Sequence, residues 1–424
     1  MAVVGGSFQT PRGVHDNIPP RSALLERIVR ASEDLFRTFG YSRIETPMFE
    51  HTEVFERGLS SESEMVTKET YTFLDRGGRS LTLRPDGTTP VMRAIIEHNL
   101  AKVSTPVKLY YTAPMFRYEN PQSGRYRQHT QVGVEAVGSP GPEIDAEVIQ
   151  IASLLYLKVG LGGVKLLLNS IGHPGCRAVY LPKLVEFLEA HRSQMCQDCQ
   201  RKIDVNALRT FDCKVERDRR LMLDAPLIAH YLCDECSDHF SGVRGLLGAL
   251  GVEFELDPRL VRGLDYYTRT TFEFQSDGLG AQNSVGGGGR YDGLAEMLGG
   301  KDLPGIGFGI GVERIAQALG DAVAVDSSPL AYIVTAGSAT PAAALKIAAT
   351  IRKAGLPVDL DFQNRALRSQ LKAVDRSGAR YGVILGDKEA AEGKVRVRDM
   401  KTGEETLVTQ DALIPFLENA RGTA

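Results

Sequence analysis

Between Arg21 and Phe39 the apolar positions Leu24, Ile28, Leu35 and Phe39, with Leu25, Val29 and Phe36 beside them, recur at helical spacing, and Gly40 supplies a stop. The spacing predicts an amphipathic helix leading into Tyr41 to Pro47. Asp86-Gly-Thr-Thr-Pro90 sets capping residues before a proline at a first helical position, so a second helix is expected from Val91 to Leu100. Val107 to Ala113, Met115 to Glu119 and His129 to Val137 alternate or run apolar as strands. The last two flank the polar loop Asn120 to Arg127, which predicts a hairpin with a long tip. Ile144 to Val159 reads as a further helix.

From Gly172 to Leu256 the pattern is mainly helical, as in an insertion between two parts of one domain. Strand signals return at Tyr267 to Phe274 and at Ile306 to Ile310, with a glycine-rich turn, Gly286 to Gly293, between them. Asp321 to Ser328 has linker character. Beyond it, strands at Ala331 to Thr335, Val358 to Asp361 and Tyr381 to Leu385 alternate with helices at Pro341 to Ala354 and Arg365 to Ser377, which predicts a small closing α/β domain.

Composition narrows the classes. The 424 residues suggest two to three domains, and 42% hydrophobic with 24% charged residues is ordinary globular usage. Fifty basic against fifty-three acidic residues give a net charge of -3, so a polyanion must be met by local patches. No apolar run approaches the roughly 20 residues that span a bilayer, and Met1 to Pro20 lacks a signal pattern. The expected compartment is the cytoplasm, where six cysteines, five of them between Cys196 and Cys236, argue against a disulfide framework.

Several segments offer chemistry. Arg84-Pro-Asp-Gly-Thr88 places the Asp86 carboxylate and Thr88 hydroxyl at a helix start, where helix capping and small-ligand binding both fit. On the strand from His129, side-chain alternation puts Gln131, Gly133 and Glu135 on one face and Val132, Val134 and Ala136 on the other. The first face is either a solvated one or a polar floor for a cationic or N–H ligand. Arg117, Glu119, Arg125 and Arg127 cluster around the hairpin tip, and arginine forks match phosphate oxygens. Gly305, Gly307, Gly309 and Gly311 strip one strand face, leaving room for a flat ligand or for another backbone, with Arg314 at its edge. No phosphate-binding G-x-x-x-x-G-K-[ST] loop is present.

In chain order, Thr46-Pro47, Arg84-Pro-Asp-Gly-Thr88, Phe116-Arg-Tyr-Glu119, Gly124-Arg-Tyr-Arg-Gln-His-Thr-Gln131, Arg262-Gly-Leu-Asp-Tyr-Tyr267, Gly288-Gly-Arg-Tyr-Asp-Gly293 and Gly309-Ile-Gly-Val-Glu-Arg314 resemble the histidyl-tRNA synthetase family over nearly the whole chain. The resemblance implies an α+β catalytic domain with the antiparallel sheet of class II synthetases, a helical insertion and a C-terminal α/β anticodon-binding domain. The corresponding bounds are 1–171 and 257–325 for the catalytic parts, 172–256 for the insertion and 329–424 for the last domain. A homodimer built partly around Pro47 is implied as well.

The same resemblance implies the activity: histidine and ATP, with Mg2+, give histidyl-adenylate, and the histidine passes to the terminal adenosine of tRNA(His). Carried over by position, Arg117, Glu119, Arg125 and Arg314 bind ATP. Asp86, Thr88 and Gln131 take the α-amino group of histidine, while Glu135, Tyr267 and Tyr291 surround its imidazole. Arg262 and Arg117 are the catalytic cations, with Arg262 on the substrate carboxylate and α-phosphate. Asp86 stands where the family carries glutamate, one methylene longer, a gap that water can bridge.

In the last domain Arg365, Arg368, Lys372 and Arg376 form a stripe at helical spacing. With Arg125, the first three are candidate tRNA contacts, and a solvated helix face is the other reading. Cys196-x-x-Cys199 and Cys233-x-x-Cys236 have the paired spacing of one structural Zn2+ site, and buried or surface thiols are the alternative. Cys176 is expected to stand apart. Two rival functions are a non-catalytic, synthetase-like regulatory subunit of ATP phosphoribosyltransferase and a non-catalytic RNA-binding protein. The intact Arg262 to Tyr267 motif and the ATP-site arginines weigh against both.

Overall fold

The computed structural model describes residues 8–59, 65–119, 124–280, 283–320, 328–337, 341–363 and 365–421. The chain divides into two compact units, Met1–Val325 and Asp326–Ala424. The Asp321 to Ser328 linker falls outside the described residues except for Ser328.

An eight-stranded sheet forms the frame of the first unit. Its order is Ser42–Arg43, Val107–Phe116, Gln128–Val137, Gly305–Gly311, Ser284–Arg290, Thr268–Ser276, Val164–Ser170 and Glu255–Leu256. The six inner strands are antiparallel, and the two-residue edge strands pair parallel to their neighbours. The expected break between Val107–Ala113 and Met115–Glu119 is absent. Pro114 sits inside one ten-residue strand, opposite Thr130, and Arg117 and Glu119 lie just past its end.

The expected turn at Gly286 to Gly293 is also corrected: Ser284–Arg290 is a strand. Its glycines are there because backbone crosses closely on both sides. A Cβ on Gly288 would overlap the Gly307 carbonyl and come within 2.8 Å of Phe308 Cα.

The two sheet faces do different work. Tyr110, Val132, Val134, Ala136, Phe272, Phe308 and Ile310 point to one side and are buried under the helices Arg21–Thr38 and Pro142–Val159. Phe36 of the first helix packs its ring 5.6 Å from Tyr110 and 6.0 Å from Phe308. Burying each such side chain contributes about 1.5–3 kcal/mol, which anchors the sheet from behind. The other face carries Tyr111, Gln131, Gly133 and Glu135, as the alternation requires.

Helix Thr88–Glu97 begins earlier than expected, with Pro90 in its first turn. A small sheet of Phe49–His51, Ser80–Leu83 and Tyr71–Leu74, unmarked in the sequence, stands beside it in the chain. Residues 172–256 are mainly helical, with helices Pro174–His191, Gln197–Val205, Glu216–Leu221 and Asp234–Ala249.

The second unit is a five-stranded sheet. Val358–Leu360, Ala331–Thr335 and Tyr381–Leu385 run parallel, followed by the antiparallel Lys394–Asp399 and Glu405–Thr409. The helix that carries the basic stripe spans Leu367–Ser377, so Arg365 precedes it. The Arg365 guanidinium pairs with Asp361, whereas Arg368 and Lys372 lie on the helix itself, Arg368 exposed and Lys372 beside it.

Candidate active site

The polar sheet face floors a cavity of about 960 Å³. Its walls come from the Asp86–Thr88 turn, the hairpin, the Arg262–Tyr267 segment and, from the insertion, Arg209 to Lys214. Among the expected site residues, Asp86, Thr88, Arg117, Glu119, Arg125, Gln131, Arg262, Tyr267 and Arg314 all line it.

Arg209, Arg219 and Arg259 line it too, so seven guanidinium groups share one cavity. Arg117 is held by its Nε donating to Pro85 O at 2.7 Å. Glu119 lies 3.9 Å from Arg117 and accepts from Arg125 at 3.4 Å. Arg314 donates through Nε and Nη2 to Ser284 O at 3.1 and 2.7 Å. Arg262 forms an ion pair with Glu273, whose other oxygen accepts from Gln275 at 2.8 Å. With Lys214, the lining arginines outnumber the carboxyl groups of Glu69, Asp86, Glu119, Asp212, Asp257 and Glu273, which leaves a net positive cleft that draws anions.

Glu135 and Tyr291 sit one layer deeper, behind the cavity lining. The Glu135 carboxylate is 1% exposed and accepts from Thr88 Oγ1 at 2.7 Å and from the Tyr291 hydroxyl at 2.5 Å. Burial pushes its carboxyl up to about 8, against the opposing effect of those two donors. Burial likewise holds the Tyr267 and Tyr291 phenols above the ordinary range, so both stay neutral donors. The solvated-face reading of this strand fails at Glu135, which is buried from water.

The stripped strand has a mixed use. A Cβ on Gly307 would overlap the Glu135 carboxylate, and one on Gly309 would overlap the Gln131 amide. Those glycines make room for neighbouring side chains, and Gly305 does the same for the Tyr291 ring. Only Gly309 and Gly311 of this strand border the cavity.

Asp86 caps the helix start and also borders the cavity. It accepts from Thr89 N at 2.8 Å and Thr89 Oγ1 at 3.0 Å. Burial raises its carboxyl, with the Thr89 bonds opposing.

Sequence reasoning missed Tyr111, Glu273 and the insertion segment. Tyr111 packs between Gly87 and Gly133 and receives a bond from Gln131 Nε2 at 3.2 Å. A tyrosine facing a glycine across the hairpin was its available signal. Glu273 and Gln275 are the polar alternates of a strand whose Phe272 and Phe274 face the core. Asp212 and Lys214 carry no local signal at all.

The single four-cysteine metal site is overturned. Each C-x-x-C occupies the first turn of its own helix, Gln197–Val205 or Asp234–Ala249, and the two turns face different partners. Cys196 and Cys199 meet Cys213 and Asp218, while Cys233 and Cys236 meet His173 and Cys176. Cys176 thus does not stand apart. His239, three residues after Cys236, belongs to neither group and lies 3.6 Å from Asp145, whose buried carboxylate pairs with the fully buried Arg290.

Comparison with known proteins agrees with this architecture. A family model described as histidyl-tRNA synthetase matches residues 13–315, and one described as anticodon binding domain matches residues 331–420. Histidine–tRNA ligases from Rhodococcus erythropolis and Moorella thermoacetica are 47% and 46% identical, covering 97% and 96% of this chain and 97% of each relative. The crystal structure of apo histidyl-tRNA synthetase from S. aureus superposes with a TM-score of 0.81 at 36% identity, covering 97% of this chain and all of that one. A Bacillus halodurans structure titled as an ATP phosphoribosyltransferase regulatory subunit/histidyl-tRNA synthetase shares the fold, with a TM-score of 0.67 at 20% identity, covering 90% of this chain and 99% of that one. With a match of this length and identity carrying both the sheet that floors the cavity and the C-terminal unit, the chain belongs to the histidyl-tRNA synthetase family, enzymes of the class II aminoacyl-tRNA synthetases.

Proposed function

We propose that the cavity joins histidine to ATP as follows, and that the convergence of Arg117, Arg125, Arg262 and Arg314 on one cleft carries the reading. Arg117 and Arg314 hold the ATP phosphates, with Mg2+ entering as part of the nucleotide substrate beside Glu119. Asp86, Thr88 and Gln131 receive the α-amino group. The imidazole sits between Tyr267 and the Glu135–Tyr291 pair, where each Glu135 oxygen keeps a lone pair for the substrate. A carboxylate and a phenol on opposite ring nitrogens select histidine by its donor and acceptor pattern, which a shape match alone does not achieve.

A histidine carboxylate oxygen attacks the α-phosphorus in line, the bond to the bridging oxygen breaks, and pyrophosphate leaves. Arg262, already oriented by Glu273, offsets the charge that grows on the α-phosphoryl oxygens. In the second step the terminal adenosine hydroxyl of tRNA(His) attacks the acyl carbon and AMP departs. Arg125, exposed at the hairpin tip, meets the acceptor end, and Arg365, Arg368 and Lys372 meet the RNA backbone in the second unit.

The enzyme works in the cytoplasm as a homodimer. Exposed Met48, Phe49, Phe73 and Leu74 beside Pro47 support that pairing, since they gather apolar area on one small sheet. No helix among the described residues is long and apolar enough to cross a membrane.

Histidine-dependent exchange of labelled pyrophosphate into ATP tests the reading. Arg262→Ala is expected to lower the rate about 10²–10³-fold, the usual cost of removing one group that stabilises transition-state charge. Exchange at the wild-type rate in that variant would remove Arg262 from the reaction.

A further inference from the structure

We propose that the insertion holds two structural metal ions of the zinc class, one bound by His173, Cys176, Cys233 and Cys236 and the other by Cys196, Cys199, Cys213 and Asp218. In each group one ligand atom per residue lies within 4.8 Å of the other three. Zinc–sulfur bonds of about 2.3 Å in a tetrahedron put sulfurs roughly 3.8 Å apart. The Cys196 and Cys213 sulfurs are 3.8 Å apart, and Cys213 Sγ is 3.5 Å from Asp218 Oδ2. In the other group His173 Nδ1 is 3.0 Å from Cys176 Sγ.

Backbone donors are aimed at three of the sulfurs. Backbone N–H groups donate to sulfur from Cys199 to Cys196 at 3.4 Å, from Val215 to Cys213 at 3.4 Å, and from Cys233 to Cys176 at 3.2 Å. Such donors orient metal-bound sulfur and stabilise its charge. Asp218 is fully buried. It accepts from Cys196 N at 2.9 Å and from the neighbouring Arg217 Nε at 3.3 Å, with Oδ2 turned toward the thiols. Disulfide pairing fits poorly, because each group holds three cysteines and would leave one over, with the His or Asp unused.

Three sulfurs with one nitrogen or one carboxylate oxygen, in a closed set of four, is the donor chemistry of structural zinc. Each site would take up one Zn2+ and release its thiol protons to solvent. The positions explain the need. The first site clamps the start of helix Pro174–His191 to that of helix Asp234–Ala249, so it ties the way into the insertion to the way out. The second closes a small core around Leu184, Leu188 and Ile203. Small cores of this kind are commonly stapled by metal. Cys213 also lines the cavity beside Asp212 and Lys214, so the second ion would hold that wall in place.

The test is metal analysis of the full-length protein made in zinc-supplemented medium. Two zinc per chain are expected by plasma mass spectrometry, with Cys199→Ser and Cys236→Ser each removing one and the double variant removing both. Because a variant can misfold, the wild type carries a second readout. Its six thiols should resist a thiol reagent until a mercurial displaces the metal, with two zinc released into a chromogenic chelator. Cobalt replacing zinc should give thiolate charge-transfer bands and tetrahedral ligand-field bands that saturate at two equivalents. Metal-free protein whose thiols titrate at once would overturn the proposal. So would saturation at one ion, including one ion lost by both single variants, which would point to a shared site.

Discussion

Glu135→Gln separates the charge of the histidine pocket from its shape. The amide keeps the size of the carboxylate and still faces Thr88 and Tyr291, but it cannot ionise. Burial holds the Glu135 carboxyl near 8, so in the free enzyme it is protonated through most of the neutral range. A carboxyl raised in the folded state contributes stability that is complete below its unfolded value and lost as pH rises through its folded one. Between about pH 5 and 8 this group therefore removes up to about 1.4 kcal/mol of stability per pH unit, a slope that the glutamine variant lacks. A hydrogen bond from the imidazole N–H to the ionised carboxylate is worth about 1.5–3 kcal/mol. The variant should then lose about 10- to 150-fold in kcat/KM for histidine above pH 8, and progressively less toward pH 6. Pyrophosphate exchange against histidine concentration from pH 6 to 8.5, with melting curves at the same pH values, measures both effects. Wild-type kcat/KM throughout, with an unchanged pH slope of melting, would refute the assignment of Glu135 to the ring.

Gly307→Ala drives a methyl group into the Glu135 carboxylate and to 2.5 Å from Val134 O. It should cost about 1–3 kcal/mol of stability and raise the KM for histidine, and an unchanged KM would mean that the strand yields. Arg290→Ala leaves Asp145 buried without its partner, 3.3 Å away in the native protein. The melting temperature should fall by the equivalent of about 3–5 kcal/mol at pH 8. The loss should be smaller at pH 5, since burial pushes the Asp145 carboxyl up to about 7 and it is then neutral. The Arg368→Ala, Lys372→Ala pair should leave pyrophosphate exchange intact. It should weaken tRNA binding and reduce the log–log salt slope by about 0.7–0.9 for each phosphate that is no longer neutralised.

The parts of this architecture that could be read in the sequence are those governed by short-range periodicity. The helix at Arg21 and the strand carrying Gln131 and Glu135 follow from spacing alone, because one face of each is uniformly apolar. Pro114 misled because a proline usually breaks a strand; here it is tolerated within one ten-residue strand. The glycines from Gly286 to Gly289 misled in the same way, since their composition resembles a turn and only the neighbouring strands reveal the close packing. The partners of each C-x-x-C lie from 14 residues away, as Cys213 from Cys199, to 63, as His173 from Cys236, and no local pattern encodes those distances. Arg262 was legible as a cation near a strand, but its counter-ion Glu273 emerges only when the two segments meet.

The hairpin of Val107–Phe116 and Gln128–Val137 is paired without a slip over ten residues, from Val107 opposite Val137 to Phe116 opposite Gln128. It carries residues proposed for the amino acid on its strands and those proposed for the nucleotide just past the ends of those strands, so a single ribbon acts as the ruler between two substrates. A one-residue deletion at the start of Gln128–Val137 that kept the strand's pairing would turn Gln131 and Glu135 into the hydrophobic core and bring Val132 and Val134 to the ligand. Within the ribbon, then, a substitution changes one contact, whereas a change of length re-aims every side chain beyond it.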